Sequence, residues 1–195
     1  MAREKVSSGP IEDEWELVHR SQTGDADAFA CLYDAYMERI YRYIYYRVAD
    51  ESLAEDITSQ VFLKAWERLD TYHSGSSAFI AWLYRIAHNA VIDEYRTRKV
   101  VIRLDDTRPT EIHHEDKVDE KVDLQFESEQ LRKALQELTE EQQQVLILKF
   151  ISGLSTQEIA RYLGKQQGAI RALQMRALQG LARALGVGEE QVYER

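Results

Sequence analysis

Cationic and amide side chains cluster near the end of the chain, and their types suit contact with DNA. The window from Ile159 to Gly188 contains no aspartate or glutamate, although the whole chain has a net charge of −9. Its cations are Arg161, Lys165, Arg171, Arg176 and Arg183. Cations neutralise phosphates, and arginine and glutamine can hydrogen-bond guanine and adenine edges. This local reversal of charge predicts a DNA-binding surface.

The elements that must position these side chains are two helices joined by a tight turn. Ser155 with Glu158 matches a capping box, which predicts a helix start, and Gly164 lies where that helix must stop. The apolar residues of the next helix share one side: Ile170, Leu173, Ala177, Leu178, Leu181 and Leu185. This pattern is typical of a helix-turn-helix, whose second helix enters the major groove. A helical hairpin with a solvated basic face is the alternative.

Length and composition favour an all-α protein of one or two small domains. The chain has 195 residues and only two prolines, Pro10 and Pro109, so long helices are allowed. The single Cys31 cannot form an internal disulfide. We expect it to be a buried side chain in a reduced, cytoplasmic setting. Residues 1–12 lack a signal-peptide core, and no apolar run reaches the about 18 residues that span a bilayer.

Helical periodicity predicts four helices in the first domain. We expect a short helix over 13–21, a tyrosine-rich helix from Ala26, a third with a Ser52–Glu55 capping box, and a fourth that Ser76 or Ser77 caps after a loop over 70–77. The tyrosines are assigned to packing. Leu63 interrupts the polar side of the third helix, as a residue of a partner site can.

The loop and the fourth helix combine flat and cationic side chains. Tyr72 and His73 lie in the loop, and cations collect at the end of the helix. Bases stack on aromatic rings while cations follow the backbone, so this pairing suits single-stranded nucleic acid. The simpler alternative is that the cations complement the helix dipole. The candidates are Arg85, His88, Asn89, Arg96, Arg98 and Lys99.

A flexible acidic linker is predicted to join the two domains. Acidic residues outnumber cations between Leu104 and Glu129, and apolar residues are sparse. His113 to Asp116 have metal-ligand side chains, but no second cluster accompanies them, so we expect no metal. We also expect no cofactor and no enzyme activity, because no phosphate loop or hydrolase motif is present.

The second domain is predicted to be a four-helix unit that ends in the helix-turn-helix. Its first helix carries Leu131, Ala134, Leu135 and Leu138. Thr139 with Gln142 predicts a capping box for the second. The expected inward residues of that second helix are Val145, Leu146, Leu148, Phe150 and Ile151, and Gly153 ends it.

Four segments in this order resemble the extracytoplasmic-function (ECF) group of sigma-70-type RNA polymerase sigma factors. They are 25–29 with Leu32 and Tyr33, 54–66, 81–89 with Asp93, and 154–176. The resemblance covers about residues 13–185. It implies a disordered head at 1–12, a region 2 domain at 13–100, an acidic linker at 101–127, a region 4 domain at 128–186 and a tail at 187–195.

The resemblance also implies partners and site residues. The partners would be core RNA polymerase, through its β′ clamp helices and β flap, and promoter DNA; an anti-sigma factor stays open. Polymerase would contact Asp56, Gln60, Phe62, Leu63 and Trp66. The −10 element, with one base flipped out, would contact Tyr72, His73, Ser74, Arg85, Asn89, Arg96 and Arg98. The −35 element would contact Lys165, Gln166, Gln167, Arg171, Gln174 and Arg176.

One departure from the family concerns the second helix of the helix-turn-helix. The family often has Lys-Ser-Arg where this chain has Arg171-Ala172-Leu173, so a usually basic position is apolar and DNA reading could differ. The sequence predicts a sigma factor for transcription initiation. A stand-alone helix-turn-helix regulator, with an N-terminal sensing or dimerisation domain, is the alternative, and a protein-binding helical adaptor is a third class.

Overall fold

The computed structural model describes residues 14–73, 78–104 and 122–186, and for 98–104 and 122–128 it describes the backbone alone. The part it describes is all-α, as predicted. The helices are α1 (Glu14–Gln22), α2 (Ala26–Val48), α3 (Glu51–Glu67), α4 (Phe79–Leu104), α5 (Val122–Gln136), α6 (Glu140–Leu146), α7 (Thr156–Leu163) and α8 (Gln167–Ala184). A 3₁₀ turn covers Leu69–Thr71, and a π-helical turn covers Ile147–Ile151. The chain divides into two compact units, one of residues up to 45 with 50–90 and one of residues 46–49 with those from 91 onward.

The core of the first unit consists of the apolar sides of α2, α3 and the start of α4. Its most buried side chains are Leu32, Ile40, Tyr43, Ile44, Ile57, Val61, Phe79, Leu83 and Tyr84. The rings of Tyr43 and Tyr84 meet at 5.0 Å. Tyr36 is also buried, and its hydroxyl donates to Glu14 of α1. The prediction that tyrosines pack is therefore confirmed for Tyr36 and Tyr43, whereas Tyr33 is exposed.

Two aspartates are the N-caps of helices α2 and α3 in the first unit. Asp25 accepts from the backbone N–H groups of Asp27 and Ala28, each at 3.0 Å, which caps α2. The Ala28 hydrogen bond, followed by that of Arg20, lowers the pKa of Asp25. Asp50 caps α3 by accepting from the Leu53 N–H at 2.9 Å. The predicted Ser52–Glu55 capping box is wrong, because Asp50 is an equally good cap and places Ser52 inside the helix.

Between α2 and α3 the chain turns through a left-handed residue. Ala49 has φ 56°, a conformation that usually requires glycine after a helix. The Tyr95 hydroxyl donates to the Arg47 carbonyl in the last turn of α2. Ala49 then allows Asp50 to adopt the extended backbone of an N-cap. The αL conformation costs an L-residue about 1 kcal/mol, so this turn stores strain.

Reciprocal caps fix two helix starts in the second unit. Thr139 with Gln142 caps α6, and Ser155 with Glu158 caps α7, as predicted. The Ser155 N–H donates to Glu158 Oε2 at 2.8 Å. Because an isolated helix of eight residues is unstable in water, α7 depends on this cap and on tertiary packing.

Phe150 and Cys31, which were both predicted to be buried, are exposed. Phe150 is 60% exposed because α6 continues as a π turn, in which the Ser152 N–H donates to the Ile147 carbonyl. A π turn holds more residues per turn than an α-helix, so it rotates Phe150 off the apolar face. Cys31 is exposed because it lies beside the buried stripe of α2, one residue before Leu32.

Both ends of the predicted linker at 101–127 are helical. α4 continues to Leu104, and α5 already begins at Val122. The acidic composition of this segment did not reveal these helical ends, although no proline lies between Pro10 and Pro109 to stop α4. The rest of the predicted linker, with the histidine pair at 113–114, lies outside the described residues. So do the predicted head, the tail and the cap at Ser76 or Ser77.

Replacing Ala49 with glycine tests the strained turn. We expect Ala49→Gly to raise the free energy of unfolding by about 0.5–1 kcal/mol, because glycine adopts positive φ without the Cβ penalty. The matched control is Ala30→Gly at an exposed position within α2. This substitution should lower the free energy of unfolding by about 1 kcal/mol. Urea unfolding measures both. A loss of stability at both positions would contradict the left-handed assignment of Ala49.

Candidate nucleic-acid and partner interfaces

α7, its turn and α8 form the candidate DNA-binding element. Gly164 ends α7 with φ 63°, and the Lys165 N–H donates to the Ala160 carbonyl at 3.0 Å. Ile159 on α7 and Ile170 on α8 are fully buried. The predicted helix-turn-helix geometry is therefore present, with a cap at one end of α7 and a left-handed glycine at the other.

Burial fixes the rotation of α8. Ile170, Leu173 and Ala177 face the core of the second unit, while Arg171 and Arg176 are exposed. Lys165, Gln166 and Gln167 are exposed as well, before and at the start of the helix. Five of the six residues predicted for the −35 element therefore share the exposed part of this element.

Gln174 is the exception among those six residues. It is half-buried, and its Nε2 atom is buried without a hydrogen-bond partner. A glutamine reads adenine with both its amide nitrogen and its amide oxygen. In this conformation the Gln174 amide nitrogen is not accessible to a base, and the contact of Gln174 with DNA stays a prediction.

Leu173 is only 7% exposed and packs in the core. The apolar residue at a usually basic position therefore removes nothing from the exposed face of α8. The sequence flagged Leu173 as a change in DNA reading, whereas its side chain serves packing.

An acidic residue reaches the helix-turn-helix from α6. Glu141 Oε1 lies 3.0 Å from Lys165 Nζ, and both side chains are partly exposed. The sequence analysis missed this pair, because Glu141 lies far outside the acid-free window. No signal within the window could have indicated it.

The residues predicted for the −10 element occupy different environments. Tyr72 is buried and packs against Phe79 at 5.2 Å and Trp82 at 5.4 Å. Burial raises the pKa of its hydroxyl. His73 is exposed, and Ser74 lies outside the described residues. The expectation that Tyr72 offers an open ring to a base is corrected, because its ring is already part of the aromatic core.

The remaining candidates for contact with the −10 element lie on α4. Arg85, Asn89 and Arg96 are exposed, and their spacing places them on one face of the helix. Arg96 Nη1 lies 3.7 Å from Asp93 Oδ1, a loose contact at the surface. The side chain of Arg98 lies outside the described ones. α4 thus presents a polar, largely cationic strip beyond its buried side.

A cleft of about 450 Å³ lies between α1 and the start of the loop. Its lining residues are Trp15, Val18, His19, Gln22, Asp70, Tyr72 and His73. Gln22 Nε2 donates to the Leu69 carbonyl at 2.9 Å and to the Tyr72 carbonyl at 2.8 Å. α1 therefore anchors the start of the loop, a role that the sequence analysis did not assign to Gln22.

α3 carries the candidate partner surface. Asp56, Gln60 and Leu63 are exposed, and Leu63 at 59% is a large apolar side chain open to water. Trp66 is 37% exposed and meets the ring of Phe29 edge-on at 4.9 Å. Phe62 is buried at 4% and packs in the core, so its contact with a partner stays a prediction.

Within residues 14–73, 78–104 and 122–186, no three histidine, cysteine or acidic side chains are grouped as metal ligands. None of the helices described here has the length and apolarity needed to cross a membrane.

Comparison with known proteins places two segments in one family. Residues 32–100 match sigma-70 region 2, and residues 128–181 match sigma-70 region 4. The ECF RNA polymerase sigma factor BldN of Streptomyces coelicolor is 42% identical over 175 residues. That alignment covers 87% of this chain and 65% of BldN, just under two thirds of its length.

One further relative agrees with this assignment, and a solved structure has a similar fold. The RNA polymerase sigma-H factor of Pseudomonas aeruginosa is 31% identical over 183 residues, which cover 89% of this chain and 94% of the relative. The fold resembles that of the sigma factor RpoE of Bartonella quintana, solved in complex with the anti-sigma factor NepR, with a TM-score of 0.66. That similarity extends over 83% of this chain and 98% of RpoE, at 24% identity. The chain therefore belongs to the extracytoplasmic-function subfamily of sigma-70 family RNA polymerase sigma factors.

Proposed function

We propose that this chain directs core RNA polymerase to promoters by reading the −35 element through α8 and the −10 element through α4 and the loop after Tyr72. The observation that carries the proposal is the exposed cationic and amide face of α8, opposite its buried side. The chain performs no bond chemistry in this proposal, because polymerase does. Its place of action would be the cytoplasm, where bacterial polymerase meets DNA.

The start of α8 suits duplex DNA in two ways. Arg171 projects from the second turn of the helix, from where a guanidinium can hydrogen-bond guanine O6 and N7. The N-cap residue Gln166 makes no side-chain cap, so the first-turn N–H groups and the positive end of the helix dipole can face a phosphate. We assign base reading to Arg171 and Gln167, and phosphate contacts to Lys165 and Arg176.

In the first unit we propose that residues of α4 and of the loop have different roles in binding the −10 element. Arg85, Asn89 and Arg96 would follow the backbone of the single strand from one face of α4. Tyr72 would hold the start of the loop through its aromatic packing, and the exposed His73 would contact the strand. Extracting a base costs a few kcal/mol, so a loop anchored in advance by Gln22 lowers the conformational entropy lost on binding.

We propose that α3 binds the β′ clamp helices of polymerase. Leu63 supplies an apolar side chain flanked by Asp56 and Gln60, and Trp66 adds a half-exposed ring. Interfaces concentrate their binding energy in a few residues, among which tryptophan is enriched, and exclusion of water from an apolar side chain such as Leu63 adds to it. Contact of the second unit with the β flap is also proposed, on the family resemblance alone.

An anti-sigma factor is proposed as a further partner. RpoE of similar fold was solved with one, NepR. An inhibitor that covered Leu63 on α3 would compete directly with polymerase for the same apolar side chain.

Run-off transcription with purified core polymerase tests the central proposal. On a library of bacterial promoters, we expect the chain to produce discrete transcripts that core polymerase alone does not produce. A stand-alone regulator would bind operator DNA without being retained by polymerase. Absence of any transcript above the core-only background, on every template, would contradict the proposal.

Replacing Arg171 tests the reading role of α8. Arg171→Ala should reduce transcription and duplex affinity on a promoter selected by the wild type by about 10- to 100-fold, because a bidentate base contact is worth about 1–3 kcal/mol. The matched control is Arg183→Ala in the last turn of α8, which removes the same charge far from the helix start. Equal losses in the two variants would indicate general electrostatic attraction and contradict the assignment of Arg171.

Replacing Leu63 tests the polymerase surface. Leu63→Ala should weaken retention by immobilised core polymerase about 10-fold or more, because the centre of an interface loses an apolar anchor. Met37→Ala is the matched control, since Met37 is an exposed apolar residue of the same unit at 36% exposure. Affinity for duplex DNA should be unchanged in both variants. Equal retention of the Leu63 variant and the wild type would refute the role of α3.

A further inference from the structure

Glu141 brings a negative charge to the turn between α7 and α8, although the sequence from Ile159 to Gly188 contains no acidic residue. Its Oε1 atom lies 3.0 Å from Nζ of Lys165, in the turn between α7 and α8. Glu141 belongs to the first turn of α6, whose start is fixed by the Thr139 capping box. The fold, and not local sequence, therefore pairs a cation of the DNA-binding element with a carboxylate.

We propose that Glu141 tunes DNA affinity by competing with a backbone phosphate for Lys165. The inference rests on the proposed function, because it needs duplex DNA to approach this turn. Lys165 directly precedes the N-cap of α8, and its backbone N–H is held by the Ala160 carbonyl. The backbone of Lys165 is thus held in place, while its side chain can rotate from Glu141 to a phosphate beside the start of α8.

The pair has the properties of a switchable contact rather than of a structural one. The side chains of Lys165 and Glu141 are 37% and 61% exposed. Water and salt therefore screen the attraction, and such pairs contribute little to stability. Breaking the pair leaves both groups accessible to solvent, so neither becomes a buried, uncompensated charge. Removing Glu141 should accordingly change DNA binding without unfolding the second unit.

The neighbouring acidic residue of the same motif has a different role. Glu158 Oε2 accepts from the Ser155 N–H and from the Ser155 hydroxyl, at 2.8 Å and 2.6 Å. These bonds hold its carboxylate at the start of α7, where it completes the capping box. Substituting Glu158 would damage the helix itself, whereas Glu141 can be changed without removing a cap.

Salt dependence makes the competition measurable. When Lys165 leaves Glu141 for a phosphate, the phosphate releases a counterion but Glu141 takes up a cation from solution. Without Glu141, the same contact produces net counterion release. Competition by Glu141 therefore lowers both the affinity and the steepness with which affinity falls as salt rises.

The experiment measures binding of the full chain to a pool of random-sequence duplexes, because a phosphate contact does not depend on sequence. Fluorescence anisotropy between about 50 and 200 mM salt gives affinity and slope. We expect Glu141→Gln to bind about two- to fivefold more tightly at low salt, the range expected from one surface pair. The slope of log affinity against log salt should be steeper by up to about 0.9.

A double-mutant cycle separates competition from general repulsion. In a Lys165→Met background, Glu141→Gln should produce no gain, because the competed cation is gone. Glu137→Gln removes an equal exposed charge at the end of α5 and should have a smaller effect. Equal gains in both backgrounds, no gain in the wild-type background, or a loss of affinity would each overturn the inference. A wild-type chain that binds no duplex would instead contradict the proposed function.

Discussion

The rotation of α8 about its axis is the constraint on which the DNA-binding element depends. Burying a side chain such as Ile170 or Leu173 stabilises the fold by about 1.5–3 kcal/mol, whereas an exposed ion pair contributes about 1 kcal/mol or less. Burial of the apolar side therefore determines the rotation of α8 about its axis, and this rotation leaves the polar side chains exposed. Arg171 and Arg176 are exposed because Ile170, Leu173 and Ala177 are buried.

The first unit shows the same constraint, together with a departure from it. α2, α3 and the start of α4 bury a core of large apolar side chains such as Leu32, Ile57 and Leu83, and aromatic rings meet across helices. Leu63 departs from this pattern, because it is exposed on a helix whose other side is well packed. A single exposed leucine is common at protein surfaces, but Trp66 on the same helix adds apolar area beside Phe29. Together they support a surface that another protein covers.

Local signals made much of this fold predictable. Both capping boxes of the second unit and the turn at Gly164 depend on residues within four positions of each other, so the sequence contains all the information needed. The errors concern residues whose environment depends on distant segments. Phe150 is exposed by a π turn, and Tyr72 is buried by rings of α4. Gln174 was assigned to DNA from its residue type, which carries no information about whether its amide is accessible.

Net charge is a poor guide to what this surface can bind, for a reason that follows from distance. At physiological ionic strength the Debye length is about 8 Å, so acidic residues much farther than that from the helix-turn-helix barely affect it. The overall charge of −9 is then compatible with a local attraction for phosphate. A carboxylate at 3.0 Å lies well within the Debye length, which makes Glu141 matter more to Lys165 than acidic residues elsewhere in the chain. The relevant electrostatic neighbourhood is thus defined by the packing of α6 against α8 and not by the sequence around Lys165.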